Sequence, residues 1–184
     1  MTIKYITIYS IFLSLLLPSC SKKQTNAQMK PTFDEAKEKQ EILATIEQET
    51  KCFFERNYDC WAEHWSHKDY AYQAWNNSDG SVGVAAGWQS IDVQSGDYIK
   101  KYKQEGTSHP IVKKEEIKWH FFSDSLVYMI WKQYNADHDT KAYQTSHETR
   151  LMEKVDSKWR ILNMSAFWDS KNKILNTDLP KHLR

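Results

Sequence analysis

The stretch SHETRLMEKVDSKWRILNMSAFW, residues 146–168, alternates apolar and polar residues in two halves that a polar turn at Asp156-Ser157 separates. Alternation of this kind predicts two β-strands with one buried face, and the short turn predicts that they form an antiparallel hairpin. Glu148 and Arg150 are two residues apart and therefore share one face of the first strand. The hairpin thus predicts a sheet that carries a charged pair on one face.

The register of this hairpin decides which residue lies opposite Arg150. A two-residue turn predicts Asn163 at that position, whereas a turn one residue longer predicts Met164. An isolated guanidinium in a dry pocket is too costly to remain unpaired, so Glu148 is the nearest candidate partner. The alternative is a position at the surface or rim, where such an ion pair contributes less than about 1 kcal/mol.

The period-two pattern extends backwards from the hairpin to residue 117. It predicts four strands joined by short turns, which form an antiparallel meander. The predicted strands are residues 117–121, 126–135, 142–155 and 159–168, with turns at Ser123-Asp124, residues 137–139 and Asp156-Ser157.

Helices are predicted in the first half of the domain. Thr32 and Glu35 have capping-box spacing, and no Gly or Pro interrupts the chain from there to Asn57. Within this stretch one apolar stripe predicts a long amphipathic helix, and its members are Ile42, Leu43, Ile46, Thr50, Phe53 and Phe54. A shorter helix at residues 60–65, a strand at 70–75, an irregular segment at 76–96 and a helix at 98–104 complete the domain. Helices followed by a sheet indicate an α+β fold, with the long helix packed on a curved antiparallel sheet.

The first twenty residues are predicted to be an export signal. Lys4 precedes a short apolar run at residues 11–17, which is too short to span a bilayer as a helix. The sequence Leu17-Pro18-Ser19-Cys20 resembles a bacterial lipobox, which predicts a signal peptide at residues 1–19, lipid on Cys20 and a flexible tether at 20–31. The alternative is an ordinary signal peptide that contains a cysteine. Ser21 favours the outer membrane, with the domain in the periplasm or at the cell surface.

Composition excludes some classes of partner. Without residues 1–19 the chain loses only Lys4, which leaves 24 basic residues (25 minus 1) against 24 acidic residues. This balance argues against a nucleic-acid partner. No glycine-rich phosphate loop, cysteine cluster or serine elbow is present, so neither a cofactor nor a metal is predicted. The eight Trp, ten Tyr and seven Phe fill the core or line a pocket or an interface.

Cysteines and histidines leave two smaller questions open. Cys52 and Cys60 either pair as a disulfide between the end of one helix and the start of the next, or remain buried thiols, which their spacing alone favours. His64 and His67 could share a helical face with Asp69 nearby, but a solvated helix end is the favoured interpretation over a metal site.

The chain resembles the nuclear transport factor 2-like superfamily, also called SnoaL-like. The resemblance is carried by Lys39-Gln40-Glu41-Ile42-Leu43 on the long helix and by Glu148-Thr149-Arg150 nine residues ahead of Trp159. It covers about residues 38–168, within a domain predicted at 32–170 that a C-terminal tail at 171–184 follows. The most similar member is the association domain of calcium/calmodulin-dependent protein kinase II. Members are cone-shaped α+β domains with a pocket between helix and sheet, and they include isomerases, dehydratases, polyketide cyclases and association modules.

The resemblance implies that Arg150 points into the pocket, where it can meet a carboxylate. Two further pocket arginines of the family are not kept: one position is Ala166 and the other is Ile130 or Lys132, so a three-arginine anion clamp is not implied. The candidate ligand-binding residues are Arg150, Glu148, Trp119 and Tyr128. Alternation sends His147 and His120 to the opposite face of their strands.

These observations predict a lipid-anchored envelope protein whose domain binds a small molecule, with an anion among the candidates, or associates with itself as a homodimer or larger oligomer. It is predicted to be noncatalytic. The alternative is an isomerase, dehydratase or hydrolase acting on a small hydrophobic substrate in the same pocket. That alternative would be favoured by a buried carboxylate of raised pKa opposite Tyr128 or Tyr143.

Overall fold

The computed structural model describes residues 33–104, 110–136 and 140–184. The predicted signal peptide, the predicted lipidation site at Cys20, the predicted tether and the predicted turn at 137–139 lie outside these residues. The helices are α1 (Glu35–Phe54), α2 (Tyr58–Glu63), α3 (Trp88–Ile91) and α4 (Asp97–Lys101), with a π-helical turn at Asp92–Gly96. The strands are β1 (Tyr72–Asn76), β2 (Val82–Ala86), β3 (Ile111–Lys114), β4 (Lys118–Ser123), β5 (Leu126–Ala136), β6 (Ala142–Val155) and β7 (Lys158–Leu175). None of the helices in these ranges is long and apolar enough to cross a membrane.

The strands form one curved sheet on which α1 packs, and the α+β fold class is confirmed. The strand order is β2-β1-β7-β6-β5-β3, and β4 pairs with the same edge of β5 as β3 does. The predicted meander is confirmed, because β4, β5, β6 and β7 pair successively and antiparallel. The sheet is nevertheless mixed, since β1 pairs with β7 in parallel.

Side-chain caps set the bounds of the first two helices. Asp34 is the N-cap of α1, and its carboxylate accepts a hydrogen bond from the Lys37 amide at 3.1 Å. The predicted capping residue Thr32 lies outside the described residues. After α1 ends, Arg56 turns the chain with φ 56°, and the Asn57 side chain accepts from the Cys60 amide at 3.2 Å. Helix α1 is therefore shorter at its carboxyl end than the absence of Gly and Pro suggests.

The buried face of α1 differs from the predicted stripe. Ile42 and Ile46 are buried as expected, but the helix continues this face with Glu49 and Cys52. Of the other predicted members, Leu43, Thr50, Phe53 and Phe54 are half-buried. The buried face of α1 can include Glu49 because the carboxylate of this residue accepts hydrogen bonds from side chains inside the domain.

A disulfide joins Cys52 near the end of α1 to Cys60 in α2, with the two Cα atoms 5.7 Å apart. The spacing alone had favoured free thiols, and that expectation is wrong. Gln48 lies beside the bridge, with its Nε2 atom 3.3 Å from the sulfur of Cys52. The bridge holds α2 against α1, which fixes where Trp61 of α2 lies.

The segment at residues 76–96 is more regular than predicted. Strand β2 pairs antiparallel with β1, and a helical run from Trp88 follows it. Gly83 is the second residue of β2, where a Cβ atom would meet the Trp75 indole at 2.3 Å. Glycine is here a strand residue that makes room for a large neighbour, and not a loop signal.

The hairpin combines the two predicted registers. Asp156 and Ser157 form a two-residue turn with positive φ angles of 50° and 62°, and Val155 pairs with Lys158. A one-residue shift in the ladder next to Leu151 then places Met164 opposite Arg150. The turn length is that of the first alternative, whereas the facing residue is that of the second.

The carboxyl end of the chain belongs to the domain. Strand β7 continues to Leu175, so the boundary predicted at residue 170 falls inside it. Beyond β7, Leu179 is 1% exposed and packs in a small cluster with Tyr134, Ala136 and Tyr143. The predicted tail therefore covers part of the outer face of the sheet, which is the face opposite α1.

Candidate functional site

A cavity of about 260 Å³ lies between α1 and the inner face of the sheet. Helix α1 supplies one wall, strands β5, β6 and β7 supply the floor, and β1 with the π-helical turn closes a side. Its inner end is polar and its rim is aromatic. This combination of an apolar wall with a few convergent polar groups is typical of small-molecule sites.

A chain of side-chain hydrogen bonds runs along the floor of the cavity. Trp131 Nε1 donates to Gln133 Oε1 at 3.0 Å, and Gln133 Nε2 donates to Asn135 Oδ1 at 2.8 Å. Asn135 Nδ2 donates to Ser146 Oγ at 3.3 Å, and Ser146 Oγ donates to Glu148 Oε1 at 2.6 Å. Inward-facing positions of β5 and β6 carry these residues, so the sheet's alternation builds the chain. Glu148 is the acceptor where it ends.

Arg150 provides the cation of this floor. Its Nη1 donates to Glu148 Oε2 at 3.0 Å and to the Thr149 carbonyl at 2.8 Å, and the guanidinium lies 5.2 Å from the Trp131 ring centroid. The side chains of Arg150 and Glu148 are only 8% and 2% exposed. The Nε of Arg150 is buried and has no hydrogen-bond partner among the described residues. The pair is therefore inside the protein and not at a solvated rim.

Glu49 on α1 is a site residue that the sequence analysis missed. Trp61 Nε1 and Trp65 Nε1 donate to the same carboxylate oxygen, Oε1, at 2.9 and 3.1 Å. Burial raises the pKa of Glu49, although Arg150 and the hydrogen bonds from the two tryptophans and Thr50 oppose the shift. A signal was present in the sequence, because Glu49 lies three residues from both Ile46 and Cys52 on one helical face.

The side of the cavity is neutral and polar. Ser95 Oγ donates to Gln73 Oε1 at 2.9 Å, and both residues are buried. Ser95 lies in the π-helical turn, and Asp92 at the start of that turn accepts a 2.7 Å hydrogen bond from Tyr58. The wider turn places a serine on the cavity side, as π-helical turns at functional sites often do.

Aromatic rings form the rim. Phe53 and Phe54 come from the end of α1, Trp75 from β1 and Trp168 from β7. Asn76 joins the two strands, because its Nδ2 donates to the Trp168 carbonyl at 3.0 Å and its Oδ1 accepts from the Trp168 amide at 2.6 Å. The rim is thus fixed to the sheet.

Two of the four predicted ligand-binding residues lie elsewhere. Trp119 is on the inner face but does not line the cavity, since it stacks on Phe121 with ring centroids 6.2 Å apart. Tyr128 points to the outer face and is 39% exposed. Tyr143, which the catalytic alternative invoked, is on the outer face as well. The structure therefore brings Arg150 and Glu148 together with Glu49, and it does not bring Trp119 or Tyr128 to them.

The four histidines that the sequence analysis considered lie away from the cavity. His147 and His120 are exposed on the outer face, so neither serves the cavity. His64 Nδ1 lies 2.7 Å from the Cys60 carbonyl oxygen, and His67 Nε2 lies 2.9 Å from the Ala62 carbonyl oxygen. Within the ranges that the structure describes, no three potential ligands are grouped as a metal site would require.

Several solved structures have a fold similar to that of this chain. No protein-family model and no curated protein matches the sequence. Among solved structures, a nuclear transport factor 2-like protein of unknown function from Shewanella oneidensis is 17% identical, with a TM-score of 0.52 over 71% of this chain and 98% of that one. The hexachlorocyclohexane dehydrochlorinase LinA, type 2, is 11% identical, with a TM-score of 0.51 over 79% and 94%. A Thiobacillus denitrificans protein named for the calcium/calmodulin-dependent protein kinase type II association domain is 14% identical, with a TM-score of 0.50 over 68% and 93%.

These likenesses show the class of fold. The chain has the nuclear transport factor 2-like, or cystatin-like, fold, as the resemblance of its hairpin predicted. Proteins with this fold include ligand-binding members and some enzymes, of which the dehydrochlorinase is one. At such low identity the comparison establishes the architecture alone, and the function must be argued from the cavity.

Proposed function

We propose that this protein is a noncatalytic small-molecule-binding module anchored in the bacterial cell envelope. One observation carries the binding proposal: the cavity ends in three buried ionisable side chains, Glu49, Glu148 and Arg150. Burying charges costs stability unless they are well paired, and a packed apolar end would be at least as stable. A buried donor without a partner, as at Arg150 Nε, adds to this cost. Such a site is better explained by a ligand than by stability.

The size and polarity of the cavity define the ligand in outline. A volume of about 260 Å³ suits a molecule of metabolite size with a polar head and an apolar body. The sequence placed an anion among the candidates because of Arg150. Its charge is already balanced by Glu148 at 3.0 Å, and Ala166 stands where the family has another pocket arginine. These facts argue against an anion clamp.

Native mass spectrometry of gently purified protein tests the binding proposal. We expect the wild-type chain to carry an added mass that Arg150→Ala reduces or loses, whereas Arg160→Ala, at a half-buried arginine of β7 that does not line the cavity, retains it. Because Arg150→Ala also leaves Glu148 unpaired, Ala166→Phe is the second variant: it fills the cavity and keeps the ion pair. An added mass that persists in both Arg150→Ala and Ala166→Phe would place the ligand elsewhere.

The envelope location is a proposal that rests on the sequence around Cys20. Lipid on that cysteine would supply about 0.8 kcal/mol per buried methylene, which suffices for firm anchoring with two or more acyl chains. Cells that express the wild type should incorporate labelled palmitate into the protein and show it in the outer-membrane fraction. Cys20→Ser should abolish both. A wild type that stays unlabelled would refute the anchor.

Self-association is the second candidate function, and the outer face of the sheet supports it. On this face Tyr128 and Ile130 of β5 are 39% and 38% exposed, and Phe167 of β7, on the far side of β6, is 54% exposed. Exposed apolar residues grouped in this way are typical of interfaces. Analytical ultracentrifugation should then show a homodimer that Ile130→Lys dissociates, whereas Val93→Lys, at an exposed apolar residue of the π-helical turn, leaves it intact. A monomeric wild type would exclude this function.

Catalysis in the same cavity is the alternative to binding. Glu49 is a buried acid with a raised pKa, as an isomerase, dehydratase or hydrolase would require. Neither Tyr128 nor Tyr143 faces it, because both lie on the other side of the sheet. We therefore propose binding as the function of the cavity, with Glu49 as a recognition group.

A further inference from the structure

We infer that the cavity binds an organic cation, with an ammonium head against Glu49 and an apolar body among the aromatic rings of the rim. The inference rests on the proposed binding function and specifies the chemical class of its ligand. Among the described lining residues the ionisable groups are two carboxylates and one guanidinium. Arg150 forms an ion pair with Glu148 at 3.0 Å and its charge also acts to lower the pKa of Glu49, so one guanidinium is shared between two carboxylates and the described lining lacks one positive charge.

The hydrogen bonds of Glu49 leave one of its oxygens available. Trp61 and Trp65 both donate to Oε1, whereas among the described residues Oε2 accepts only a long 3.4 Å contact from Thr50. A carboxylate oxygen has two lone pairs and is a strong acceptor for a charged donor. The two indoles therefore hold the group in place, and Oε2 retains capacity for an ammonium N–H.

In the part of the chain that the structure describes, the elements around Glu49 supply no second cation for it. Trp61 of α2 and Trp65 just after it face Glu49, as do the neutral Gln73 of β1 and Ser95 of the π-helical turn. Strand β6 faces it with Arg150, which is already paired with Glu148. On β3, Lys114 lies in a neighbouring depression, where its Nζ is 3.5 Å from Glu47. A ligand that brings a positive charge would complete the electrostatics of this end of the cavity.

The rim suits the same ligand. Phe53, Phe54, Trp75 and Trp168 line the cavity, and aromatic faces attract cations as well as apolar groups. An amine with an aromatic or aliphatic body could thus place its head against Glu49 and its body among these rings. An anion of the same shape would instead face two carboxylates.

The affinity for a cation should also depend on pH, because binding is linked to the ionisation of Glu49. Burial raises the pKa of Glu49, so the empty cavity favours the neutral acid more than water does. A bound ammonium favours the ionised form, so binding releases a proton and tightens as the pH rises through the pKa of Glu49. Amines of this class, with pKa values near that of lysine at about 10.4, stay charged across the range of interest.

Isothermal titration calorimetry with three matched probes tests the inference. Tryptamine, tryptophol and indole-3-acetate share one ring system and differ in the charge of the head, which is positive, neutral and negative. We expect tryptamine to bind most tightly, with affinity that rises as the pH increases from 4.5, the ordinary pKa of a glutamate, through the raised pKa of Glu49. Glu49→Gln should weaken tryptamine by about 10- to 100-fold and remove the pH dependence, since a charge-assisted hydrogen bond is lost.

Matched variants test whether the effect belongs to Glu49 or to any negative charge on α1. Glu47→Gln removes an exposed carboxylate from the same helix and should change the affinity less than about twofold, because solvent screens it. Glu49→Gln keeps an acceptor oxygen for the two indole donors and is therefore expected to fold. If it does not fold, Trp75→Leu is the second variant, and it should weaken tryptamine by removing part of the aromatic wall.

The results also show whether only the charge of the ligand is wrong or the cavity binds no ligand. Equal or tighter binding of tryptophol or indole-3-acetate would overturn the cation inference and leave a binding cavity. Tryptamine binding that Glu49→Gln does not weaken would overturn it as well. If none of the probes binds, the inference fails, while the mass spectra of the wild type and Ala166→Phe decide the proposed function separately.

Discussion

Removing Arg150 should destabilise the domain strongly, since its ion pair with Glu148 is buried. The Nη1 and Oε2 atoms are 3.0 Å apart, and the two side chains are 8% and 2% exposed. In Arg150→Met, Glu148 would keep the hydrogen bond from Ser146 at 2.6 Å but lose its only ion-pair partner among the described residues. Breaking a buried pair in this way costs about 3–5 kcal/mol. For a domain with about 5–15 kcal/mol of stability, that is a large fraction.

Urea unfolding followed by circular dichroism measures this cost. The double variant Arg150→Met/Glu148→Gln removes both charges and leaves Ser146 an acceptor, so we expect it to be more stable than Arg150→Met by about 2 kcal/mol or more. Lys158→Met is the matched control, because it breaks an ion pair with Glu63 at 2.8 Å whose partners are 65% and 56% exposed. It should leave the midpoint near that of the wild type.

Two results for the free energy of unfolding would contradict a buried ion pair. If Arg150→Met costs less than about 1 kcal/mol, or if Glu148→Gln adds to the loss instead of reversing it, the guanidinium lies at a solvated rim. The cavity would then lack the buried charges on which the binding proposal rests.

Three further predictions concern pH, packing and the disulfide. The folded-state pKa of Glu49 is raised above the ordinary value of 4.5, so the folded state holds the proton more tightly and its stability should fall as the pH rises from that value through the folded pKa. Glu49→Gln should remove this component in a pH series of unfolding midpoints. Gly83→Ala should cost about 1–3 kcal/mol and shift the Trp75 fluorescence, because the new Cβ would lie 2.3 Å from the indole. Replacing Cys52 and Cys60 by serine should cost about 2.5 kcal/mol, the loop-closure entropy for a separation of eight residues.

Each of these predictions has a result that contradicts it. A pH profile that is identical in the wild type and Glu49→Gln would mean that the carboxylate is solvated. Unchanged stability and fluorescence in Gly83→Ala would place the Trp75 ring away from β2. A serine pair as stable as the oxidised wild type, while the reduced wild type is also unchanged, would show that the bridge does not constrain the unfolded chain.

The sheet was largely predictable because its strands have one buried face. The turns predicted on either side of residues 142–155 give the bounds of β6 without error, and the two-residue spacing of Glu148 and Arg150 places both on one face of it. The register was less predictable. A ladder shift beside Leu151 depends on packing with neighbouring strands, so the turn at Asp156 alone does not determine that Met164 faces Arg150.

The first half of the domain was harder to predict, for two physical reasons. The glycines at positions 80, 83 and 87 predict a loop, whereas Gly83 is a strand residue whose missing side chain leaves room for the Trp75 indole. A glutamate on a helix is normally assigned to the solvent face, so Glu49 was passed over even though its position continues the buried stripe. Its partners Trp61 and Trp65 reach it only after the disulfide-linked turn brings α2 back onto α1.

A crystal structure of the wild-type protein, purified gently from a bacterial host, tests the central claim most directly. We predict non-protein density between α1 and the sheet, in contact with Glu49 and flanked by Trp75 and Trp168, with the ion pair of Glu148 and Arg150 intact. A cavity that is closed by its own side chains, with Glu49 directly paired to Arg150, would contradict the claim that this fold keeps a ligand site.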